Sequence, residues 1–386
     1  MKQHKYDLVI IGGGILGTFH AYHALKLGKE VLQLEKDNFP VGSTIRNFGQ
    51  VVPSGMSGQW FDYGVRGLEI YDAIQREFDI SVRQNGSVYI ASDDDEVQLL
   101  HELKHHYDHV GYSQELLTAA QIQQKYTAVR GSYAKEALFF GQEVSVEPGV
   151  MIRRLQEYLK FKFKGYSLFY DSPVIECASK DAGVEVVVSD GRRFEADKAV
   201  VCNGYEFKLL FKELFEASGQ VISKLQMMRT VPLKNIGLEG NILTGLTIRR
   251  YESFEDNCPS FEKLKTPAHY EELRKYGIHI LFKMAPDGSI IIGDSHEYAA
   301  GTNFDDLGFS LDSYINGLML QEAERIVSFD VRQIATSWAG FYSQHKDHIL
   351  EYDIDDRIHI RTCIGGKGMT ASAGYAEHSI QHIFQY

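Results

Sequence analysis

Long hydrophobic runs are missing from this chain. No stretch approaches the roughly 18 continuous apolar residues that a membrane-spanning helix requires. Cysteine is scarce, with four in 386 residues: Cys177, Cys202, Cys258 and Cys363. They are scattered and form no C-x-x-C pair, so neither a metal site nor a disulfide framework is expected. Reduced thiols in a cytoplasm are the simplest reading. Positive charge is in deficit: Lys plus Arg is 40, Asp plus Glu is 52, and the formal net charge is −12. Nucleic acid and anionic membranes are therefore disfavoured as partners, and an anionic substrate must be drawn in by local positive groups. Internal repeats and low-complexity segments are absent as well. Lys2 and Lys5 precede an apolar run, as in a signal peptide. That run breaks at three glycines, and no small-residue cleavage site follows. The length is sufficient for two domains, or for one domain interrupted by another.

What is present is concentrated in the first thirty-five residues. Residues 6–11 read YDLVII, an apolar run with β-branched residues that fits a buried strand. Gly12-Gly13-Gly14-Ile15-Leu16-Gly17 follows. Ile15, Phe19, Tyr22 and Leu25 then recur near helical spacing up to Gly28, and residues 31–35 form a second strand pattern. This is a βαβ unit with G-x-G-x-x-G at Gly12, Gly14 and Gly17, set between strand and helix as a dinucleotide site requires. Gly12 permits the tight turn, Gly14 lets a pyrophosphate approach the backbone, and Gly17 lets the helix lie close to the strand. The helix start offers free N–H groups to the phosphates. Glu35 lies 18 residues after Gly17. A carboxylate there accepts hydrogen bonds from ribose hydroxyls and repels a 2′-phosphate, which favours FAD or NAD over NADP. Gly12, Gly14, Ile15, Leu16, Gly17, Glu35 and the adjoining Lys36 are the first cofactor candidates.

Beyond this unit, residues 36–53 read as a long functional loop, and residues 60–78 and 95–110 as amphipathic or charged helices. His101 and His105 share the second of these, but Glu102 and Lys104 mark a wet surface, so no metal is expected there. Residues 148–164 read as a helix. Strand patterns follow at 174–177, 184–188 and 199–202, with Asp190-Gly191 as a hairpin turn. Further strand-like stretches occur at 225–232, 242–248, 278–284 and 289–292, the last two joined by Pro286-Asp287-Gly288. Residues 310–329 are helical in pattern, 331–342 and 358–362 strand-like, and 369–384 helical. A dinucleotide unit opens the chain and a strand–glycine–helix unit closes it. Antiparallel material lies between.

Four features converge. They are the N-terminal motif with Glu35, the strand ending in Asn203-Gly204, the hairpin from Asp287-Gly288 to Gly293-Asp294, and the stretch from Cys363 to Thr370. Together they resemble the glutathione-reductase-like flavoproteins, and within them the D-amino acid oxidase group that includes glycine oxidase and sarcosine oxidase. The resemblance covers nearly the whole chain and is weaker between about residues 95 and 145. It implies non-covalent FAD and an α/β fold: a Rossmann-type FAD-binding domain with a parallel sheet and an inserted, mainly antiparallel substrate domain. The expected boundaries are 1–85, 140–222 and 331–386 for the first, and 86–139 and 223–330 for the second.

The resemblance also implies roles. Ser43, Thr44 and Asn47 fall on the family's second flavin loop. Val174 matches the residue whose backbone holds the adenine edge, and Asn203-Gly204 the turn near the pyrophosphate. Gly365, Gly366, Gly368, Met369 and Thr370 match the loop against the flavin's pyrimidine edge. A helix start there, with Lys367 as a cation, stabilises charge on the reduced flavin. Sarcosine oxidases hold flavin through a cysteine where Gly340 falls here, which is why the FAD is expected to be non-covalent. Their lysine after the C-terminal glycines appears here as Thr370, which leaves the acceptor open between oxygen and another oxidant.

The Ser43 to Gly49 loop, with Gly293 to Tyr298, is similar to a subgroup associated with aminophosphonate breakdown. Such a substrate needs donors for its anionic end. Arg46 is the first candidate. Arg249 and Arg250 fall on a strand-like piece, where at most one faces a pocket and Arg250 is the more expected at the surface. His279, His296 and Tyr342 can line the substrate side. The implied reaction is oxidation of a C–N bond in a small amine or amino acid by hydride transfer to flavin, followed by imine hydrolysis. The alternatives are a 2-hydroxy acid dehydrogenase of the same fold and a flavin-binding module without turnover.

Overall fold

The computed structural model describes residues 5–385; residues 1–4, Lys2 among them, and residue 386 lie outside the described residues. β1 (Lys5–Ile11) is central to the first sheet because both of its faces are apolar. Leu8, Val9 and Ile10 are fully buried, the continuous pattern of a parallel strand covered on two sides. β1 pairs in parallel with β2 (Val31–Leu34) on one side and with Arg193–Val201 on the other. The sheet continues to Ile358–Thr362 and Leu350–Ile354 at one edge and to Tyr166–Phe169 at the other. Val174–Lys180 and Gly183–Val188 extend it antiparallel beside Arg193–Val201.

α1 (Ile15–Lys26) is buried from Ile15 to Leu25. It packs against the C-terminal helix Gly368–Phe384, which in turn packs on α2 (Gly58–Glu77). Among the described residues no helix is long and apolar enough to cross a membrane.

The second sheet runs Glu297–Ala300, Val221–Thr230, Ile290–Gly293, Leu281–Met284, Asn241–Leu243, Ser87–Ala91, Glu136–Phe140, Glu115–Thr118. Most of its pairings are antiparallel, while Asn241–Leu243 lies parallel to Ser87–Ala91. The mixed α/β class is the expected one, but two details differ.

Ile334–Gln344, expected in the first sheet, pairs along Val221–Thr230 in the second. The chain therefore returns to the first sheet at Leu350–Ile354 and not at residue 331. The alternation of residues 331–342 says that a strand forms, not which sheet completes it.

The second difference lies at 242–248. The strand ends at Leu243, and Gly245–Ile248 turns as a short helix. Thr244 Oγ1 donates to the Ile280 carbonyl, and Tyr133 Oη accepts the Gly245 N–H. A Cβ at Gly245 would lie 2.4 Å from the Glu96 carboxylate. Packing overrides the β-branched pattern here, so Arg249 and Arg250 do not alternate across a strand.

Beneath the segment Pro53–Gly55 lies Glu143, fully buried. Its carboxylate accepts from the Ser54 N–H (2.8 Å), the Ser54 hydroxyl (3.0 Å) and the Tyr112 hydroxyl (3.0 Å). Burial raises this carboxyl from the usual 4.5 to about 7, against the opposing pull of the Ser54 donors. The folded protein thus keeps a proton that the unfolded chain releases. The stability this contributes is complete below pH 4.5 and is lost as the pH rises through about 7. Glu143→Gln should match the parent near pH 4.5 and gain on it toward neutral pH, by up to about 1.4 kcal/mol per pH unit. Thermal unfolding midpoints across that window measure the gap; a gap independent of pH would contradict it.

Candidate active site

A cavity of about 600 Å³ runs between the two sheets, from Gly12 and Glu35 at one end to His296 and Tyr342 at the other. The glycine turn makes its first wall. Gly12 has φ +117°, and a Cβ there would lie 2.2 Å from the Cys202 carbonyl oxygen. A Cβ at Gly17 would lie 2.3 Å from the Gly12 carbonyl oxygen, so the close helix–strand packing requires glycine there too. Thr44 Oγ1 accepts the Ile15 N–H at 3.0 Å at the start of α1. Glu35 is 7% exposed; its two oxygens accept the Gly13 N–H (2.8 Å) and the Asp37 N–H (3.0 Å). Burial raises its carboxyl above the usual range, opposed by those two donors. Each oxygen keeps a lone pair that a ribose hydroxyl can use.

Asn47 splints the next loop: Nδ2 donates to the Ser43 and Thr44 carbonyls, and Oδ1 accepts the Gly49 N–H. Ser43 Oγ donates to the Phe341 carbonyl, and Ser343 Oγ and Thr362 Oγ1 both donate to the Gly204 carbonyl. At the C-terminal end, Thr370 Oγ1 accepts the Val52 N–H at 3.1 Å. Lys36, Val174, Asn203, Gly365, Gly366, Gly368 and Met369 complete this part of the lining. Two lining amides have buried atoms without a protein hydrogen-bond partner, Gln50 Nε2 and Asn203 Oδ1. A cradle bare of side chains, a helix start, a buried carboxylate and two unused amide atoms are what a dinucleotide such as FAD needs.

The far end is polar and aromatic. The backbones of His279 and Asp294 exchange hydrogen bonds of 3.0 and 2.8 Å. His279 Nε2 lies 2.7 Å from Asp294 Oδ1, and its Nδ1 lies 3.4 Å from Thr247 Oγ1. His296 Nδ1 lies 3.1 Å from the Gly277 carbonyl and 3.9 Å from Asp294 Oδ1. Burial lowers both imidazoles, His296 to about 3, so they are neutral. For Asp294, burial works to raise the carboxyl; His279 and His296 oppose it to the extent that either carries a proton, and Arg250 opposes it with a permanent charge. Burial keeps Tyr251 and Tyr342 protonated. Lys367 is not a solvent-facing lysine: its Nζ pairs with Glu252 at 2.7 Å, and both residues line the cavity.

Of the candidate residues named from the sequence, Gly17, Arg46, Arg249 and Gly340 do not line the cavity. Gly17 acts through packing alone. Arg46 donates from Nε to the Val41 carbonyl in its own loop and from Nη1 to the Ala339 carbonyl on the strand Ile334–Gln344, so these donors are taken by backbone carbonyls. Gly340 lets that loop come close, since a Cβ there would lie 2.8 Å from the Arg46 carbonyl oxygen.

The expectation for the arginine pair is also reversed. Arg249 makes the salt bridges, to Asp93 and Glu96, while Arg250 lines the cavity. Tyr251, Glu252 and the amide of Gln50 had gone unnoticed as site residues. Asp294 stood in a noted stretch without a role. The signal was the dense Arg-Arg-Tyr-Glu run at 249–252, masked by reading it as part of a strand.

Glu35→Ala removes the carboxylate expected to meet the ribose and also strips the Gly13 and Asp37 N–H groups of their acceptor. FAD binding, followed by flavin fluorescence, should weaken by roughly 1.5–3 kcal/mol. Unchanged affinity would take Glu35 out of the site.

A model of the family described as "DAO: FAD dependent oxidoreductase" matches residues 7–381. Glycine oxidase of Bacillus licheniformis is 26% identical over 223 residues, 55% of this chain and 58% of that protein. N-methyl-L-tryptophan oxidase of Escherichia coli (strain K12 / DH10B) is 24% identical over 222 residues, 54% of this chain and 56% of that one. The chain thus spans less than two thirds of the length of these relatives. Glycine oxidase from Geobacillus kaustophilus superposes with a TM-score of 0.77 at 15% identity, covering 99% of this chain and 95% of that one. L-alpha-glycerophosphate oxidase from Mycoplasma pneumoniae with FAD bound does so with 0.77 at 13% identity, covering 100% and 96%. At these identities the structural likeness shows the fold alone. The family match across residues 7–381 does more: this chain belongs to the DAO family of FAD-dependent oxidoreductases.

Proposed function

We propose that the protein oxidises the C–N bond of a small amine that also carries an acid group, an amino acid or an aminophosphonate. Arg250 carries this reading. It lines the cavity, and its Nη1 and Nη2 donate to the Gly277 carbonyl (3.3 Å) and the Tyr298 hydroxyl (3.0 Å), both neutral acceptors. Among the described residues no carboxylate forms an ion pair with it. A guanidinium that no carboxylate pairs with directly, in the wall of a protein of charge −12, is suited to a substrate's carboxylate or phosphonate. The neutral hydroxyls of Tyr251 and Tyr342 add donors beside it. The similarity of the 43–49 and 293–298 stretches to aminophosphonate-associated proteins supports the phosphonate as one candidate.

Bound FAD supplies the two-electron acceptor for the substrate's C–H hydride, and the resulting imine is hydrolysed in water. The chain's own work is to orient the amine and exclude water. Leu281, Tyr251 and Tyr342 form apolar faces, and the Lys367–Glu252 pair joins the two halves of the wall. A hydroxy acid would also meet a histidine here, paired with Asp294, so the two substrate classes need direct comparison.

Arg250→Lys should raise the concentration of acid-bearing amine for half-maximal anaerobic flavin reduction by ~10-fold or more, with FAD content normal. Monoamines without an acid group should be poor substrates for both proteins. Equal half-saturation in Arg250→Lys, or the same defect in Arg46→Lys alone, would contradict the assignment.

FAD should also be released intact by acid. Cys202 and Cys363 line the cavity, but burial raises both thiols, Cys363 to about 12, and keeps them protonated and unreactive. Yellow colour left on the denatured chain would contradict this.

A further inference from the structure

We infer that Asp294, on the same cavity wall as Arg250, receives the substrate's ammonium group and, backed by His279, takes the proton that this nitrogen must lose before its carbon can be oxidised. The inference rests on the amine reading above and assigns the chemistry of its second pole.

The geometry is local and rigid. Asp294 lies just beyond the strand Ile290–Gly293 and is 6% exposed, yet it lines the cavity. Its backbone is clamped to His279 independently of its side chain. Oδ1 lies 2.7 Å from His279 Nε2 but makes no well-aligned hydrogen bond, so that oxygen keeps an unused acceptor site. The charged and titratable groups around the carboxylate come from four places. They are His279 before the strand Leu281–Met284, His296 on its own strand connection, Arg250 and Tyr251 after the short helix, and Tyr342 on the strand Ile334–Gln344. His279 and His296 are neutral and the tyrosines are protonated, so the carboxylate and Arg250 are the charges of this end.

A guanidinium and a carboxylate on one cavity wall match a molecule with one anionic and one cationic end. An amine with a solution value near 10 is neutral in only about one molecule per thousand at pH 7. Only the neutral form has the lone pair that assists loss of hydride from the adjacent carbon. In a dry wall, opposite charges neutralise by moving a proton. The N–H bond breaks with its electron pair left on nitrogen, an O–H bond forms on Asp294, and the two charges cancel. His279 Nε2, 2.7 Å from Oδ1, is close enough to share that proton once the two groups align.

The test uses FAD-loaded wild type and Asp294→Asn. Glycine, N-methylglycine and 2-aminoethylphosphonate serve as amines, and acetate and ethylphosphonate as amine-free acids. Wild type should be reduced anaerobically by at least one amine at pH 7. Asp294→Asn, with normal FAD content, should be reduced ~10²-fold more slowly or worse at pH 7. It should recover as the pH approaches the amine's own solution value. It should bind the matching amine-free acid, read from the flavin spectrum, as tightly as wild type or more tightly. Asp294→Glu should restore part of the pH 7 rate. If Asp294→Asn does not fold, His279→Gln carries the same pH test in the same direction.

A wild-type pH profile in Asp294→Asn would overturn the inference. So would equal loss of amine and amine-free acid, which marks a structural residue. So would a stoichiometric metal ion bound by wild type and lost in Asp294→Asn, because His279, Asp294 and His296 lie close enough to ligate one. Failure of every amine to reduce wild type is read without any variant and instead overturns the amine reading itself.

Discussion

The approach of Gly12 to the Cys202 carbonyl holds the site together. Gly12 N–H donates to the Leu34 carbonyl and Cys202 N–H to the Ile11 carbonyl, both at 2.8 Å. The carboxyl ends of three parallel strands are thereby gathered at one edge, where ligands bind in sheets of this kind. Cys202 leads directly into Asn203-Gly204, and the Gly204 carbonyl receives hydroxyls from Ser343 and Thr362. A side chain at residue 12 would push the Cys202 carbonyl away, and with it the contact that ties the first strand to the strands carrying Tyr342 and Thr362. One backbone contact thus couples the phosphate end of the cavity to both of its later walls.

Charge is the second constraint. Burying an unpaired charge is expensive, so the walls hold few of them. Glu35 is satisfied by two backbone donors, Lys367 by Glu252, and Arg249 by Asp93 and Glu96. Arg250 and Asp294 differ: each lines the cavity, and among the described residues neither forms an ion pair with a permanently charged side chain. That imbalance gives the far end a preference that the aromatic lining alone does not supply.

Legibility followed the range of the interactions. The βαβ unit, its glycines and Glu35 are local in sequence, and each works through its own backbone or the next strand, so their pattern carries the geometry. The C-terminal glycines were legible for the same reason. Arg46 was misread because its partners, Val41 and Ala339, are carbonyls whose approach no side-chain pattern records. Arg249 and Arg250 were misread because a β-branched run hid a helical turn fixed by Tyr133, Ile280 and Glu96, which lie far away in the chain. The sheet membership of Ile334–Gln344 failed likewise: period-2 alternation identifies a strand and is silent about its neighbour.

The central claim is that this cavity serves oxidation at a carbon bearing nitrogen and not at one bearing oxygen. The most direct measurement mixes the FAD-loaded protein anaerobically with one acid-bearing amine and with its hydroxyl counterpart of equal length, and follows flavin absorbance in a single turnover. The account predicts bleaching by the amine, with the matching aldehyde or keto acid formed in equal amount, and none by the hydroxy acid. Bleaching by the hydroxy acid alone, or by neither, would contradict it.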